Sequence, residues 1–330
     1  MRTLINFDIR IFLLLLLVLD FTLIHCQTSK IDSLLQLIEN QKEDTSRIKI
    51  LLKVSREYSK TDPEKALEYD KKAYFLAQKS KFLPGIIDAI IETSYYYTIT
   101  GNLDSAEFYS LQAIKLSDSL NVNKWKAASS YMHANVLLKK GGPAAAKEFF
   151  FKANNTYRKI GDSTGFMNSL NGLGVVYYWL AEYDSAIYYY LEFLKMCKKM
   201  KNEEGSGKGL VNLGTAYNEL MDYANAEKYL LESIQVNEKF NNLRFLSMAY
   251  NNLGSIAFKG NDLEKALFYY KLSQEQNVKS GNVVGLAQVK NNIGNIYQNK
   301  KEYKLALSYY TEAKDLCTKM NNIDGIIEAY

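Results

Sequence analysis

The sequence predicts an all-α chain of helix–turn–helix hairpins stacked side by side. Three observations carry this. Glycines recur at Gly174, Gly214, Gly254 and Gly294, and each is followed twelve positions on by an alanine, Ala186, Ala226, Ala266 and Ala306. The alanine series runs back through Ala146, Ala106 and Ala66, always 40 residues apart. Within one period the apolar residues fall at helical spacing, first Leu173, Tyr177 and Leu180, then Ala186, Tyr190 and Phe193, with Ala181 and Glu182 as a short turn between. Self-similarity of this length marks an array in which each unit buries its apolar face against its neighbours. Gly174 and Ala186 are small where the two helices of a hairpin touch, which lets the backbones approach.

The elements follow in chain order. Residues 1–26 have the form of a secretory signal peptide: Arg2 and Arg10, then an apolar run from Ile11 to Ile24 broken by Asp20. That run is shorter than the about 20 residues a membrane-spanning helix needs. Three fates are open for it: cleavage after Cys26, lipidation of Cys26, or retention as an anchor. His25 is a poor fit to the small residue that lipidation sites want. The expected location is extracytoplasmic, in the periplasm or cell envelope. Residues 27–44 carry Ile31, Leu34, Leu35 and Ile38 on one helical face and are expected to cap the open end of the array.

Residues 45–322 hold seven repeats, read as one continuous array. In the first, Asp62 caps the second helix and Pro63 opens it, and the turn is expected to be one residue shorter. The second and third are degenerate, with Ser94 and Ala134 for the hairpin glycine and Thr93 and His133 for the preceding leucine. Between repeats, Gly161-Asp162 recurs as Gly281-Asn282. There the glycine suits a left-handed helix end and the polar residue caps the next helix. Residues 323–330 open an eighth unit in register. This is expected either in a piece of a longer polypeptide or where another molecule covers the last face.

Composition narrows the function classes. The 330 residues carry 41 Lys and Arg against 36 Asp and Glu, a net +5, and the charges are interspersed. No basic stripe with interleaved aromatics stands out, which argues against nucleic acid as a partner of this region. Cys197 and Cys317 lie three periods apart. Even neighbouring helices are about 8–10 Å apart, whereas a disulfide needs Cα atoms within about 7 Å, so the two thiols are apolar filler. There are 2 histidines, and no metal cluster, phosphate loop, nucleophile motif or cofactor motif. His133 stands at a core leucine position and reads as packed. The chain is expected not to be an enzyme.

With its leucine–glycine pair, an aromatic three residues on and an alanine twelve past the glycine, the chain resembles the tetratricopeptide repeat family. All four features hold at Gly174 and Gly214; the Gly294 repeat has Ile293 for the leucine, and the Gly254 repeat has Ala257 for the aromatic, with Phe258 beside it. The resemblance implies a right-handed α-solenoid. The 40-residue period is similar to a longer-helix subgroup found in peptide-binding scaffolds and bacterial signalling proteins. The N-terminal combination of signal peptide, Asp32-Ser33-Leu34-Leu35 and Asp62-Pro63-Glu64 resembles the extracytoplasmic region of Bacteroidetes-type sensor proteins. Those commonly continue into a membrane helix and a histidine kinase or DNA-binding output. A membrane is expected to be met only through the N-terminal segment or a part beyond residue 330. The alternative is a secreted or lipid-anchored assembly scaffold without output.

The family's ligand-facing positions lie on the first helices. They give Asn168, Asn171, Lys208, Asn212, Asn251, Asn252, Gln288, Asn291, Asn292, Asn295 and Gln298 as a candidate surface for a peptide or protein. Asn212, Asn252 and Asn292 repeat at one spot. An amide offers a donor and an acceptor, as a peptide backbone does, so this ladder can hold an extended peptide. It can equally bond neighbouring hairpins. Tyr178 and Trp179 on the same side are expected to be packing.

Overall fold

The structure, a computed structural model, describes residues 30–59 and 61–319. The expected signal peptide, with Cys26, and residues 323–330 lie outside them. The described residues form fifteen helices and no strand. Residues 30–40 form α1. Three hairpins follow: α2 (Asp44–Tyr58) with α3 (Pro63–Lys79), α4 (Leu83–Ile99) with α5 (Leu103–Leu120), and α6 (Asn123–Lys139) with α7 (Pro143–Ile160). Four more are α8 (Ser163–Trp179) with α9 (Tyr183–Lys199), α10 (Glu203–Glu219) with α11 (Tyr223–Lys239), α12 (Leu243–Lys259) with α13 (Leu263–Lys279), and α14 (Val283–Asn299) with α15 (Tyr303–Lys319). The array that reads as continuous divides into two compact units, Met1–Ile160 and Gly161–Tyr330. Each is a run of stacked hairpins, an α-solenoid segment.

Loop chemistry explains the regularity. After α3, successive helices within each unit are joined by two or three residues, and a left-handed residue sits in each of these joints: Gly101, Gly141, Ala181, Met221, Asn261 and Lys301 inside hairpins, Lys81, Asn121, Lys201, Asn241 and Gly281 between them. That conformation brings amides back onto the last carbonyls of the preceding helix, as in Glu182 N–H to Tyr177 O at 2.9 Å. The next residue caps the following helix. Asp162 Oδ1 accepts from Gly165 N–H at 2.9 Å, Asn202 Oδ1 from Gly205 at 3.0 Å, and Asp222 Oδ1 from Asn225 at 3.1 Å. The first hairpin departs from expectation. Its connection is not a shorter turn: α2 stops at Tyr58, at the aromatic itself, and four residues lead to Pro63. The missing residue comes out of the helix.

Packing inside a hairpin turns on the glycine. A Cβ built on Gly174 would lie 2.4 Å from the Tyr190 ring, and one on Gly254 or Gly294 would meet Tyr270 or Tyr310 at 2.6 and 2.5 Å. A large side chain on the second helix, sixteen residues on, therefore lies flat across the glycine. The family aromatic stacks on a second tyrosine: Tyr177 on Tyr189, Tyr217 on Tyr229 and Tyr297 on Tyr309, with centroids 5.3–5.5 Å apart. Where Ala257 replaces it, Tyr250 from two helical turns earlier in α12 covers Tyr269 at 6.5 Å.

Unit 1 departs from this apolar scheme. Ser94 Oγ donates to the Ala106 carbonyl at 2.8 Å, and Ser110 stands where the hairpins after it have a ring or leucine. His133 is buried, as its leucine position implies; its Nδ1 is 2.8 Å from Ser110 Oγ and its ring meets the Phe149 edge. Burial lowers its pKa, against the pull of Glu107. Cys197 and Cys317 are buried, and neither is in a disulfide.

Candidate ligand-binding face

In unit 2 the first helices α8, α10, α12 and α14 touch one another in sequence, and the candidate residues lie along the face they form. The ladder amides are engaged between hairpins. Asn212 Nδ2 donates to Asn171 Oδ1 at 3.1 Å, and Asn292 Nδ2 donates to Asn251 Oδ1 at 2.8 Å, both across 41 residues. Asn252 Nδ2 reaches Thr215 Oγ1 at 2.9 Å and its own helix at Met248 O. The inter-hairpin reading of these amides is what the geometry contains. It does not exhaust them: each Asn–Asn pair spends one Nδ2 and one Oδ1 on itself and keeps one of each. Asn291, at the position of Asn171 and Asn251, is buried with no partner for its Oδ1.

Around these fixed amides, Asn168, Gln288, Asn295 and Gln298 are exposed. Asn295 Oδ1 and Gln298 Oε1 both accept from the Tyr310 hydroxyl, at 2.7 and 2.8 Å. Lys208 is half-buried in this face; burial lowers its pKa, and Arg244 from the next first helix adds to that. Trp179 is not packing, because it is 67% exposed at the end of α8. Tyr178 is half-buried beside it. Sequence reasoning did not single out Thr215, Asn218 or Glu219, which sit at the same repeat offsets as Asn295, Gln298 and Trp179. Their spacing was the available signal.

Among the described residues no group of three or more His, Cys, Asp or Glu is placed to hold a metal ion, and no helix is long and apolar enough to cross a membrane.

Three family models described as "Tetratricopeptide repeat" match residues 166–200, 207–275 and 287–319. Over these residues the chain carries tetratricopeptide repeats. All three matches lie in unit 2, so the repeats coincide with the candidate face. Among solved structures, the apo form of RapI is similar with a TM-score of 0.67 at 14% identity, over 83% of this chain and 98% of that one. A Rap protein complexed with Competence and Sporulation Factor gives 0.67 at 12%, over 88% and 80%. NprR in complex with its cognate peptide NprX gives 0.65 at 13%, over 88% and 83%. At these identities the likeness is one of fold. No curated protein matches the chain.

Proposed function

We propose that this chain is a non-catalytic repeat scaffold that holds an extended peptide, or an extended segment of a protein, on the first-helix face of unit 2. The observation that carries this is the row of amides fixed between hairpins. Asn171–Asn212 and Asn251–Asn292 each present one spare donor and one spare acceptor in a geometry set before any ligand arrives, and preorganised groups lose little entropy on binding. A peptide group needs one of each. Two structures of the same fold hold, by their descriptions, Competence and Sporulation Factor and the cognate peptide NprX. The 40-residue spacing and the signal-peptide form of residues 1–26 further support an exported interaction region of a bacterial signalling protein, in the longer-helix subgroup of the repeats.

Selection of a random hexapeptide display library on the full chain tests the binding reading. The ladder amides are poor targets for substitution, since their removal also cuts the bonds between hairpins. Asn168→Ala with Gln288→Ala removes exposed groups, and surface changes leave stability within about 0.5 kcal/mol. Enriched peptides should bind this variant at least about tenfold more weakly, the effect of about 1.4 kcal/mol of lost hydrogen bonding, with an unchanged melting temperature. Equal binding by the variant removes the face from consideration. For export, residues 1–26 fused to alkaline phosphatase should give an active enzyme outside the cytoplasm; an inactive cytoplasmic fusion overturns that part.

A further inference from the structure

Two successive hairpins of unit 2 bring the same three positions together and fill them differently. In the later one, Lys259 at the end of α12 reaches back to the preceding hairpin. Its Nζ donates to Asn218 Oδ1 at 3.3 Å and lies 5.9 Å from the centroid of the Tyr223 ring. The chain thus supplies its own cation to a tyrosine face and an amide oxygen. Forty residues earlier the same positions hold Glu219 for the lysine, Tyr178 for the asparagine and Tyr183 for the tyrosine.

The substitution reverses the charge and enriches the rings. Tyr178 meets Tyr183 with centroids 5.7 Å apart at 56°, and Trp179 at 6.3 Å and 86°, so three ring planes are mutually tilted. The Glu219 carboxylate lies near the Tyr178 phenol; burial, then that acid, push the phenol up to about 12. Among the described residues no cation lies over Tyr178, Trp179 or Tyr183, although the next hairpin fills the equivalent place with Lys259. Tilted aromatic faces beside a carboxylate attract a cation through the ring quadrupoles and through charge.

We propose that Tyr178, Trp179, Tyr183 and Glu219 form a receptor for one cationic side chain, a guanidinium or an ammonium, of the bound peptide. This rests on the peptide reading above and adds to it a residue class at one position. The receptor is continuous with the amide row, because Asn168, Asn171, Val175 and Tyr178 recur at helical spacing along one face of α8. A basic residue seated at Tyr178 therefore leaves the adjoining peptide backbone against Asn171 and Asn212.

The chain has 2 Trp, so Trp125→Phe makes Trp179 the sole indole reporter. Titration with N-acetyl-arginine amide should give a saturable change in its emission, and N-acetyl-norleucine amide should give none. The indole N–H signal of Trp179 in the unsubstituted protein should report the same contrast by NMR, free of any effect of Trp125→Phe on unit 1. Glu219→Gln should weaken arginine-amide binding about threefold, as loss of an exposed charge partner does. Glu219→Lys, which places a lysine where the next hairpin has Lys259, should abolish it. Equal responses to the two amides, or a Glu219→Lys protein that still responds to arginine amide, overturn the receptor. The display selection separates this from the groove. Enriched peptides without a basic residue, bound equally by Glu219→Lys, sink the receptor and leave the groove. No enrichment, with arginine amide still bound, sinks the groove alone.

Discussion

Gly214→Leu is expected to lower the stability of unit 2 by about 2 kcal/mol. A Cβ at this position already falls 2.7 Å from Leu230 Cγ and 3.2 Å from the Ala226 carbonyl oxygen. Leu230 is fully buried in the cluster with Val211, Ile234 and Leu253, so it has little room to withdraw, and the carbonyl belongs to the facing helix. Overpacking of this kind costs about 1–3 kcal/mol, and four added atoms put it at the upper end. Leucine's better helix propensity returns about 0.8 kcal/mol. For a unit of this size the net loss corresponds to a fall of about 4–8 °C in melting temperature. The double variant Gly214→Leu with Leu230→Ala isolates the cause. If the two side chains compete for one space, the pair should be more stable than the sum of the single losses implies. Strict additivity would show that the damage lies elsewhere than in that contact.

The same glycines explain how much of the architecture was legible in the sequence. A close helix crossing needs a residue without a side chain, and Gly174, Gly214, Gly254 and Gly294 announce it at fixed intervals. The hairpins, their turns and caps such as Asp162 and Asn282 could be read because each depends on residues a few positions apart. The substitutions at Ser94 and His133 were equally visible, but what accommodates them was not. Ser110 pairs with the imidazole across 23 residues, from a different helix. Tyr250 takes over from Ala257, while Phe258, the obvious substitute in the sequence, does not.

The candidate face was legible by position and illegible by bonding. Asn171, Asn212, Asn251 and Asn292 could be placed on the first helices from the repeat, yet pairing across 41 residues depends on the stagger between adjacent hairpins. A periodic sequence defines that stagger only through packing. Trp179 failed for a related reason. It stands at a helix end, where the next hairpin no longer covers it, and the repeat pattern does not show where cover stops.

Asp70→Asn is expected to stabilise unit 1 at neutral and alkaline pH and to leave it nearly unchanged in acid. Asp70 lies across α2 from the same side as Tyr190 lies across α8 in unit 2, but as a carboxylate that is 1% exposed, with no partner for Oδ1. Burial holds its carboxyl up at about 7. The Ser55 hydroxyl bond opposes that, the Glu92 charge adds to it and the Arg56 guanidinium opposes it. Arg56 is itself engaged, its Nε donating to Glu92 at 2.6 Å, so it serves Asp70 only in part. The sign follows from proton binding. Between pH about 4 and about 7 the native chain holds a proton that the unfolded chain has released, so stability falls as pH rises through this window. A shift from 3.8 to about 7 corresponds to about 4 kcal/mol at 1.36 kcal/mol per pH unit. Asparagine is neutral throughout and keeps the size of the side chain. Chemical unfolding at pH 8 should therefore show the variant to be more stable by about 3 kcal/mol, the shortfall allowing for its own buried amide, and the two proteins should converge near pH 4. A variant less stable than the parent at pH 8 would mean that the carboxylate is compensated after all, and that Arg56 serves both acids at once.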